Sequence, residues 1–228
     1  MLERWTPVGL VVAVLIVTDL LLINQSAMVT VPIACASAGL LLAIARSSGL
    51  SWSDVGLGRA SLARGARWGA IAALLVAAGY AVILVSPFAE ELLSDERTPD
   101  SVGAMLLMAF VVIPLRTVLL EEVAFRGVLW GMLQRQHSPA TATAWSSVAF
   151  GLWHLPAAFL VIDSSAALSD ATGSSGVATA AVVVSIVVVT GLTGVVLAEL
   201  RRRSGSLLAA AGLHAGMNVT GTMASFLV

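Results

Sequence analysis

The sequence predicts an all-α fold: a polytopic bundle of about seven transmembrane helices with a cytoplasmic N-terminus. Of the 228 residues, 58% are hydrophobic and only 11% are charged, whereas soluble domains carry about 25% charged residues. The hydrophobic residues are also grouped into stretches near the roughly 20 residues that a helix needs to cross the hydrocarbon core. Lipid is therefore the expected solvent for most side chains.

Seven apolar stretches follow one another along the chain. The first comes after Glu3 and Arg4. Because no small-x-small cleavage site follows it cleanly, we interpret it as a membrane helix rather than a removed signal peptide. The fourth is expected to continue as a helix toward Gln136. The stretches cover residues 8–23, 29–45, 68–88, 102–120, 140–162, 177–197 and 206–228.

The charges of the connecting segments predict the orientation, because arginine excess marks the cytoplasmic side of a membrane protein. Three connecting segments are basic. The one after the second span has four arginines and a single acid, Asp54; the one after the fourth span has Arg135; and the one after the sixth span has three arginines. The arginines of the first and third of these segments are Arg46, Arg59, Arg64 and Arg67, and Arg201, Arg202 and Arg203. The alternate segments are acidic and carry Glu90, Glu91, Asp95, Glu96 and Asp100 against Arg97, then Asp163 and Asp170. The charge of every connecting segment agrees with seven membrane crossings, a cytoplasmic N-terminus and a C-terminus on the outside.

Two connecting segments have distinctive compositions. Residues 51–66 are polar and include Trp52 and Asp54, and we interpret them as an interfacial segment on the cytoplasmic face. Residues 164–176 are rich in Ser, Ala and Gly and are expected to form a mobile loop. No soluble domain and no strong internal repeat is predicted, and the lack of a repeat counts mildly against a secondary transporter.

Composition also argues against several functions. The net charge is −1, so no basic surface indicates nucleic acid as a partner. Cys35 is the single cysteine, which excludes an internal disulfide and a cysteine metal site. All twelve basic residues are arginine, which suggests a GC-rich bacterial genome and hence a bacterial cytoplasmic membrane.

Ionisable groups at membrane depth are costly, so each one is a candidate functional residue. The first cluster consists of Glu121, Glu122 and Arg126. Glu122 and Arg126 are four residues apart and can pair on one helix face, while Glu121 points about 100° away and needs another partner. Alternatively, this cluster is an ion pair at the membrane interface whose only role is to mark the end of the helix.

Two further clusters lie on later spans. His154 follows Phe150 by four residues, and Pro156 removes a helical hydrogen bond beside it, which predicts a kink. His214 and Asn218 are also four apart, among small residues that let helices approach closely. Taken singly, either histidine could instead bond to a neighbouring helix and serve packing alone.

Other polar residues in or near the spans are weaker candidates. Arg116, which follows Pro114 by two residues, is expected to pair with a site acid or to extend to the interface. Asp19 and Glu199 are buried-acid candidates with structural rather than catalytic roles. His137 lies in a predicted cytoplasmic loop and has no expected role.

The three clusters together fit two chemistries. A carboxylate and a histidine, Glu121 with His154, can activate water as a general base, while His214 with Asn218 can donate to a developing oxyanion. Alternatively, two histidines and one carboxylate form the ligand set of a catalytic zinc, here Glu121, His154 and His214. The sequence has no G-x-S-x-G motif, so a serine nucleophile has no support. It also has no H-E-x-x-H motif, so a zinc-binding helix of that kind has no support.

These motifs resemble those of the CPBP family, which comprises CAAX prenyl endopeptidases and bacterial relatives linked to bacteriocin processing and immunity. E-E-x-x-x-R, F-x-x-x-H and H-x-x-x-N occur in that order, and the resemblance covers about residues 102–218. It implies an intramembrane endopeptidase whose site opens toward the cytoplasm, either metal-dependent or with a glutamate-activated water. The site residues it implies are Glu121, as the catalytic glutamate, with Glu122, Arg126, His154, His214 and Asn218.

A single membrane domain over residues 1–228 is expected, with variable spans in 1–100 and the catalytic helices in 101–228. The lipid bilayer surrounds it, and a membrane-associated peptide or protein, such as a bacteriocin-like precursor, is the expected substrate. Two other functions stay open. One is a proton-coupled transporter in which Glu121, His154 and His214 relay protons, and the other is a non-catalytic immunity or scaffold protein.

Overall fold

The computed structural model describes residues 2–23, 25–95, 98–163, 170, 172–173 and 175–228, with the side chains of 2–6 and 163 left aside. The elements in this part of the chain are all helices, which confirms the predicted all-α class. The predicted mobile loop 164–176 falls largely outside the described residues, as do Glu96 and Arg97 of the acidic segment.

Nine helices, counted within the described residues, make up the bundle. The fifth joins α-helical turns to two π-helical stretches, Met108–Val118 and Glu122–Leu129; Glu121 ends the α-helical turn between them and Glu122 begins the second stretch. The helices are α1 Leu2–Leu22, α2 Ala27–Ser47, α3 Arg59–Leu84, α4 Ala89–Leu93, α5 Val102–Gln134, α6 Pro139–Trp153, α7 Leu155–Asp163, α8 Gly176–Ser204 and α9 Leu207–Phe226.

Among the described residues, four helices are long and apolar enough to cross a membrane: α2, α3, α5 and α8. Helices α6 and α7 make a fifth span if the bent pair is counted as one. The apolar part of α1, Pro7–Leu22, is too short to count among them. Helix α9 has 20 residues, but its polar side chains make it less hydrophobic than the four candidate spans. Four or five spans are therefore observed, and the full count of seven stays a prediction.

The fifth predicted span is broken at His154. Helices α6 and α7 meet there at an angle of 41°, and the His154 N–H donates to the Gly151 carbonyl in a tighter turn. Pro156 follows two residues later and has no N–H with which to continue the helical ladder. The predicted kink is therefore present, and it lies at the histidine itself.

The predicted interfacial segment 51–66 is only partly non-helical. Helix α3 begins at Arg59, after Gly58, so the second half of that segment forms the first two turns of a 26-residue helix. The alanines, leucine and arginines of residues 59–66 favour a helix. The arginines place polar side chains at the start of α3. Residues 59–66 are therefore helical and continuous with the candidate span, and their position at the interface stays a prediction.

Small residues hold α9 close to α3. A Cβ on Gly212 would lie 2.4 Å from the Gly69 Cα atom, and a Cβ on Gly216 would lie 2.7 Å from the Ala73 Cα atom. Helix α6 approaches α8 in the same manner, since a Cβ on Gly151 would lie 2.6 Å from the Val187 carbonyl oxygen. These contacts decide how near the polar residues of α6 and α9 come to α5.

The arginine-rich end of the bundle is tied together by backbone carbonyls. Arg201 donates to the carbonyl oxygens of Ser53 and Asp54 at 3.2 and 2.9 Å, and its guanidinium lies over the Trp130 ring. Arg135 binds the Asp54 carboxylate at 3.3 Å. Hydrogen bonds from the backbone N–H and the side chain of Ser51, and then the charge of Arg135, lower the pKa of Asp54 below its usual value.

Large apolar side chains cover the outside of the helices. Leu74 and Leu75 on α3 and Val188 and Val189 on α8 are exposed, whereas soluble proteins rarely present continuous apolar surface of this extent. Together with the apolar spans, this surface shows an integral membrane protein.

Gly212→Ala is expected to destabilise the bundle, because the added methyl would displace the backbone of α3. Overpacking of this kind costs about 1–3 kcal/mol. Gly79→Ala is the matched control, since a Cβ there meets nothing within 4 Å. Thermal unfolding in detergent should show a lower midpoint for Gly212→Ala alone, and equal midpoints would contradict the close approach of α3 and α9.

Single cysteines can test the predicted orientation in a Cys35→Ala background. Glu91 and Arg203 are both exposed and lie at opposite ends of the bundle. We expect Glu91→Cys to react with a membrane-impermeant maleimide on intact cells, and Arg203→Cys to react only after lysis. The reverse pattern would show that the N-terminus faces outward.

Candidate active site

Glu121 and Glu122 lie side by side in the middle of α5, where an α-helical turn ends and the second π-helical stretch begins. Both side chains are buried. Because neighbouring residues on a helix point about 100° apart, the two carboxylates face different partners. Each therefore has its own surroundings, although the two residues are adjacent in the sequence.

Glu122 is the centre of a buried triad with Arg126 and His214. Its Oε1 atom accepts a hydrogen bond from the Arg126 Nη1 at 3.1 Å and lies 2.8 Å from the His214 Nδ1. Glu122 and Arg126 are each only 1% exposed. The Arg126 guanidinium also lies 3.8 Å from the centre of the Phe150 ring, so this cation touches α6 while Glu122 bonds to α9.

Glu121 faces the two histidines. Its Oε1 atom accepts a hydrogen bond from the Trp153 indole N–H at 3.2 Å. Its Oε2 atom is buried and has no hydrogen-bond partner. That oxygen lies 3.9 Å from the His154 Nε2 and 3.8 Å from the His214 Nε2. One carboxylate oxygen therefore stays free, opposite two imidazole nitrogens.

The hydrogen bonds of the histidines decide which ring nitrogen is free. His154 Nδ1 lies 2.8 Å from the Phe150 carbonyl oxygen, which can only accept, so Nδ1 must donate. His214 Nδ1 donates to Glu122 for the same reason. In the neutral ring, Nε2 then carries a lone pair. Both histidines thus present a basic nitrogen toward Glu121.

Phe150 aligns the two rings. Its ring is edge-on to His154, with centroids 4.6 Å apart, and edge-on to His214 at 6.1 Å. The F-x-x-x-H spacing places Phe150 one turn before the break at His154, so its carbonyl and its ring act on the same histidine. The phenylalanine of the motif therefore contacts both histidine rings and accepts a hydrogen bond from one of them.

Glu121, His154 and His214 offer metal-ligand atoms, and their separations are somewhat wider than those in an ideal tetrahedral zinc site. Ligands of a tetrahedral zinc at about 2.1 Å lie about 3.4 Å from each other, and the separations here are 3.8 and 3.9 Å. Within the described part of the chain, no group of three or more His, Cys, Asp or Glu side chains is arranged to hold a metal ion. The partners of a tetrahedral water at about 2.8 Å would lie about 4.6 Å apart, so the observed separations fall between the two ideal geometries.

Asn218 lies apart from the other five predicted site residues. It is half-buried, lines a cavity of about 550 Å³, and bonds to none of the five in the described structure. It is one helical turn beyond His214 on α9, and Thr117 is one turn before Glu121 on α5 and lines the same cavity. The cavity lining therefore reaches to one helical turn from Glu121 and from His214, which do not line it themselves.

The burial and partners of the weaker candidates differ in part from the expectation. Glu199 is not a buried acid, since it is half-exposed and binds both Arg202 and Arg203 at the end of α8. Asp19 lies within electrostatic reach of Arg116 but forms no ion pair with it. Trp153, which bonds to Glu121, was missed, although its position directly before His154 was a usable signal.

Comparison with known proteins supports the resemblance seen in the motifs. Residues 103–220, a little over half of the chain, match the family model described as type II CAAX prenyl endopeptidase Rce1-like. No curated protein and no solved structure matches the chain. The matched residues run from the start of α5 into α9 and include all six predicted site residues.

The two glutamates are expected to differ in what they contribute to stability. Glu122→Met leaves the Arg126 guanidinium buried without its carboxylate, and breaking a buried pair costs about 3–5 kcal/mol. Replacing both residues with Met should recover part of the loss. Glu121→Gln removes no ion pair with an arginine and should change the thermal midpoint little. Equal losses for Glu122→Met and Glu121→Gln would contradict this division.

Proposed function

Because the chain belongs to the Rce1-like family of type II CAAX prenyl endopeptidases, we propose that it is an intramembrane endopeptidase that hydrolyses a peptide bond of a membrane-associated peptide or protein. The family is a protease family, and the chain is an integral membrane protein. The observation that carries the proposal is the free Oε2 atom of Glu121, buried opposite two histidine nitrogens.

The proposed reaction begins with a water molecule held between Glu121 and His154. A carboxylate next to water acts as a general base when the reacting atoms are held within hydrogen-bond reach. Glu121 Oε2 takes one proton from the water as the water oxygen bonds to the scissile carbonyl carbon. The carbonyl electron pair moves to its oxygen, and a tetrahedral oxyanion forms.

The oxyanion needs donors that are already in place when the charge develops. Asn218 supplies an amide N–H from the cavity wall, and His214 supplies an Nε2–H when its ring is protonated. Glu122 would hold that imidazolium, since it already bonds to Nδ1. Collapse of the intermediate breaks the C–N bond, and Glu121 returns the proton to the leaving nitrogen. The products are a carboxylic acid and an amine.

The six residues thus have separate proposed roles. Glu121 and His154 activate the water, and His214 with Asn218 stabilise the oxyanion. Glu122 and Arg126 are positioning residues, since they act through His214 and through the packing of Phe150. The Trp153 indole N–H is a further positioning group, because it occupies Oε1 and leaves Oε2 to the water.

A metal-dependent version of the reaction would use Glu121, His154 and His214 as ligands. The glutamate-activated route is the one proposed, because the Glu121 Oε2 atom is buried without a hydrogen-bond partner. The catalytic part of the single domain is residues 101–228. The substrate would enter a site in a bacterial cytoplasmic membrane, with the cytoplasm as the side implied by the family resemblance.

The test is cleavage of a panel of membrane peptides by the purified protein and by Glu121→Gln and His154→Ala. We expect each variant to lower kcat by at least about 100-fold, since general-base catalysis contributes about 10²–10⁴, with thermal midpoints near that of the wild type. Gly79→Ala is the matched control and should cleave normally, because that position contacts nothing.

A strong chelator separates the two routes within the same assay. Cleavage that survives the chelator supports a glutamate-activated water, and cleavage abolished by the chelator and restored by zinc supports a metal. Activity retained in both variants would show that the site is wrong. Cleavage by no form would favour the non-catalytic immunity or scaffold function.

A further inference from the structure

A groove runs between α6 and α8 and opens on the outside of the bundle. It consists of a mouth of about 590 Å³ and a deep part of about 360 Å³. Ala144 and Val195 line both parts, so the two are continuous, and the described lining includes none of the six predicted site residues. The mouth lies between residues 138–144 and 195–202, and the deep part lies between residues 144–152 and 187–195.

The groove is polar at its mouth and apolar in its deep part. Thr143, Glu199 and Arg202 line the mouth, whereas the deep part is lined by alanine, glycine, valine and leucine and by one polar residue, Ser147. Residues 187–195 cover about 12 Å along α8, and one leaflet contributes about half of the roughly 30 Å hydrocarbon core. A molecule with a polar end and an apolar chain about as long as one leaflet matches this shape.

The mouth carries an excess of positive charge. The Nε and Nη2 atoms of Arg202 donate to the Glu199 carboxylate at 2.7 and 2.6 Å, and Arg203 binds the same carboxylate. Two arginines against one glutamate leave one positive charge in excess. Within the described residues nothing accepts a hydrogen bond from the Arg202 Nη1, and a guanidinium is well suited to a phosphate group. The mouth is therefore suited to an anion.

Two hydroxyl groups follow one another from the mouth into the deep part. Thr143 accepts a hydrogen bond from the Trp130 indole N–H at 3.1 Å, and no described group accepts from its own O–H. Ser147 is 4% exposed, and its Oγ atom has no hydrogen-bond partner, whereas buried polar groups are normally hydrogen-bonded. The two residues are four apart on one face of α6, about 6 Å along the axis. An occupant with two acceptors at that spacing would satisfy both hydroxyls.

A glycerophospholipid has acceptors at this spacing. Five bonds join its phosphorus to the nearer ester carbonyl carbon, and since three backbone bonds span about 3.8 Å, five extended bonds span about 6 Å. The acyl chain continues from that ester and would lie in the deep part. A helix about 10 Å wide and 12 Å long occupies about 900 Å³, so a helix of a second copy cannot enter the 360 Å³ of the deep part.

We propose that the groove between α6 and α8 binds one anionic glycerophospholipid. Arg202 and Thr143 hold its phosphate, Ser147 donates to an ester carbonyl, and one acyl chain lies along residues 187–195. Lipid chains already surround the apolar surface of a membrane protein and are as apolar as leucine, so the polar contacts give the selectivity. The inference does not depend on the proposed peptidase function.

Native mass spectrometry of the purified full chain in detergent measures the binding of added lipids. The probes are palmitoyl-oleoyl phosphatidylglycerol, phosphatidylcholine with the same chains, and the dialkyl ether analogue of the phosphatidylglycerol, which lacks the ester carbonyls. We expect one phosphatidylglycerol to bind about fivefold more tightly than phosphatidylcholine, as one arginine near an anionic lipid implies. The ether analogue should bind about threefold more weakly than the ester, as the loss of one neutral hydrogen bond implies.

Two substitutions separate the polar contacts and serve as controls for each other. Arg202→Gln should remove the preference for phosphatidylglycerol but keep the preference for the ester, and Ser147→Ala should do the opposite. The selectivity that each variant keeps shows that it is folded. Arg67→Gln, at an exposed arginine of α3, should keep both preferences.

A third substitution fills the deep part of the groove. A Cβ on Gly191 would meet only the Ser147 carbonyl oxygen at 3.5 Å, so Gly191→Leu can be accommodated and should weaken the binding of all three lipids at least about fivefold. Gly79→Leu is the matched control, because a Cβ there meets nothing within 4 Å, and it should bind the lipids as the parent does.

Equal binding of phosphatidylglycerol and phosphatidylcholine by the parent, or of the ester and the ether, would overturn the phospholipid site. Displacement of the lipid by glycerophosphoglycerol, which is the head group without chains, would show a simple anion site instead. A dimer without bound lipid would show that a second copy covers the groove, which would also overturn the proposal.

Discussion

The ion pair of Glu122 with Arg126, joined to His214, is the interaction on which the rest of the site depends. Two ionised groups that are each 1% exposed are tolerated in an apolar interior only when they are paired and hydrogen-bonded. The pair lies on one helix, but its other contacts reach α9 through His214 and α6 through Phe150. The same charges that are costly to bury therefore specify how three helices meet.

Adjacency of the two glutamates then allows one carboxylate to be structural while the other stays reactive. Glu122 binds a cation and the donor nitrogen of a histidine, so its charge is already balanced. Glu121 has no arginine within ion-pair distance among the described residues, and its free oxygen faces only imidazole nitrogens. The different surroundings of the two carboxylates follow from the angle between successive residues on a helix, and they need no change of fold.

The large cavity extends away from the arginine-rich end of the bundle. It runs from Asn218 and Thr117 toward residues 92–95 and 98–99 and the end of α9. At the opposite end, carbonyl groups of residues 48–54 hold Arg135 and Arg201. The membrane side from which a substrate arrives therefore depends on the orientation of the bundle, because the cavity and the arginines lie at opposite ends.

Much of this protein could be predicted from the sequence alone, because lipid allows few solutions. Backbone groups in an apolar solvent must bond within the chain, so apolar stretches become helices, and rare ionisable residues within them mark a site. Glu121, Glu122, Arg126, His154 and His214 were found in that manner, and the kink at His154 followed from Pro156. Only the tertiary structure decided that His214 bonds to Glu122, that Trp153 occupies one oxygen of Glu121, and that Asn218 and Arg116 share a cavity. Those contacts join residues far apart in the sequence, and they depend on distances set by close contacts such as Gly69 with Gly212, which no local pattern encodes.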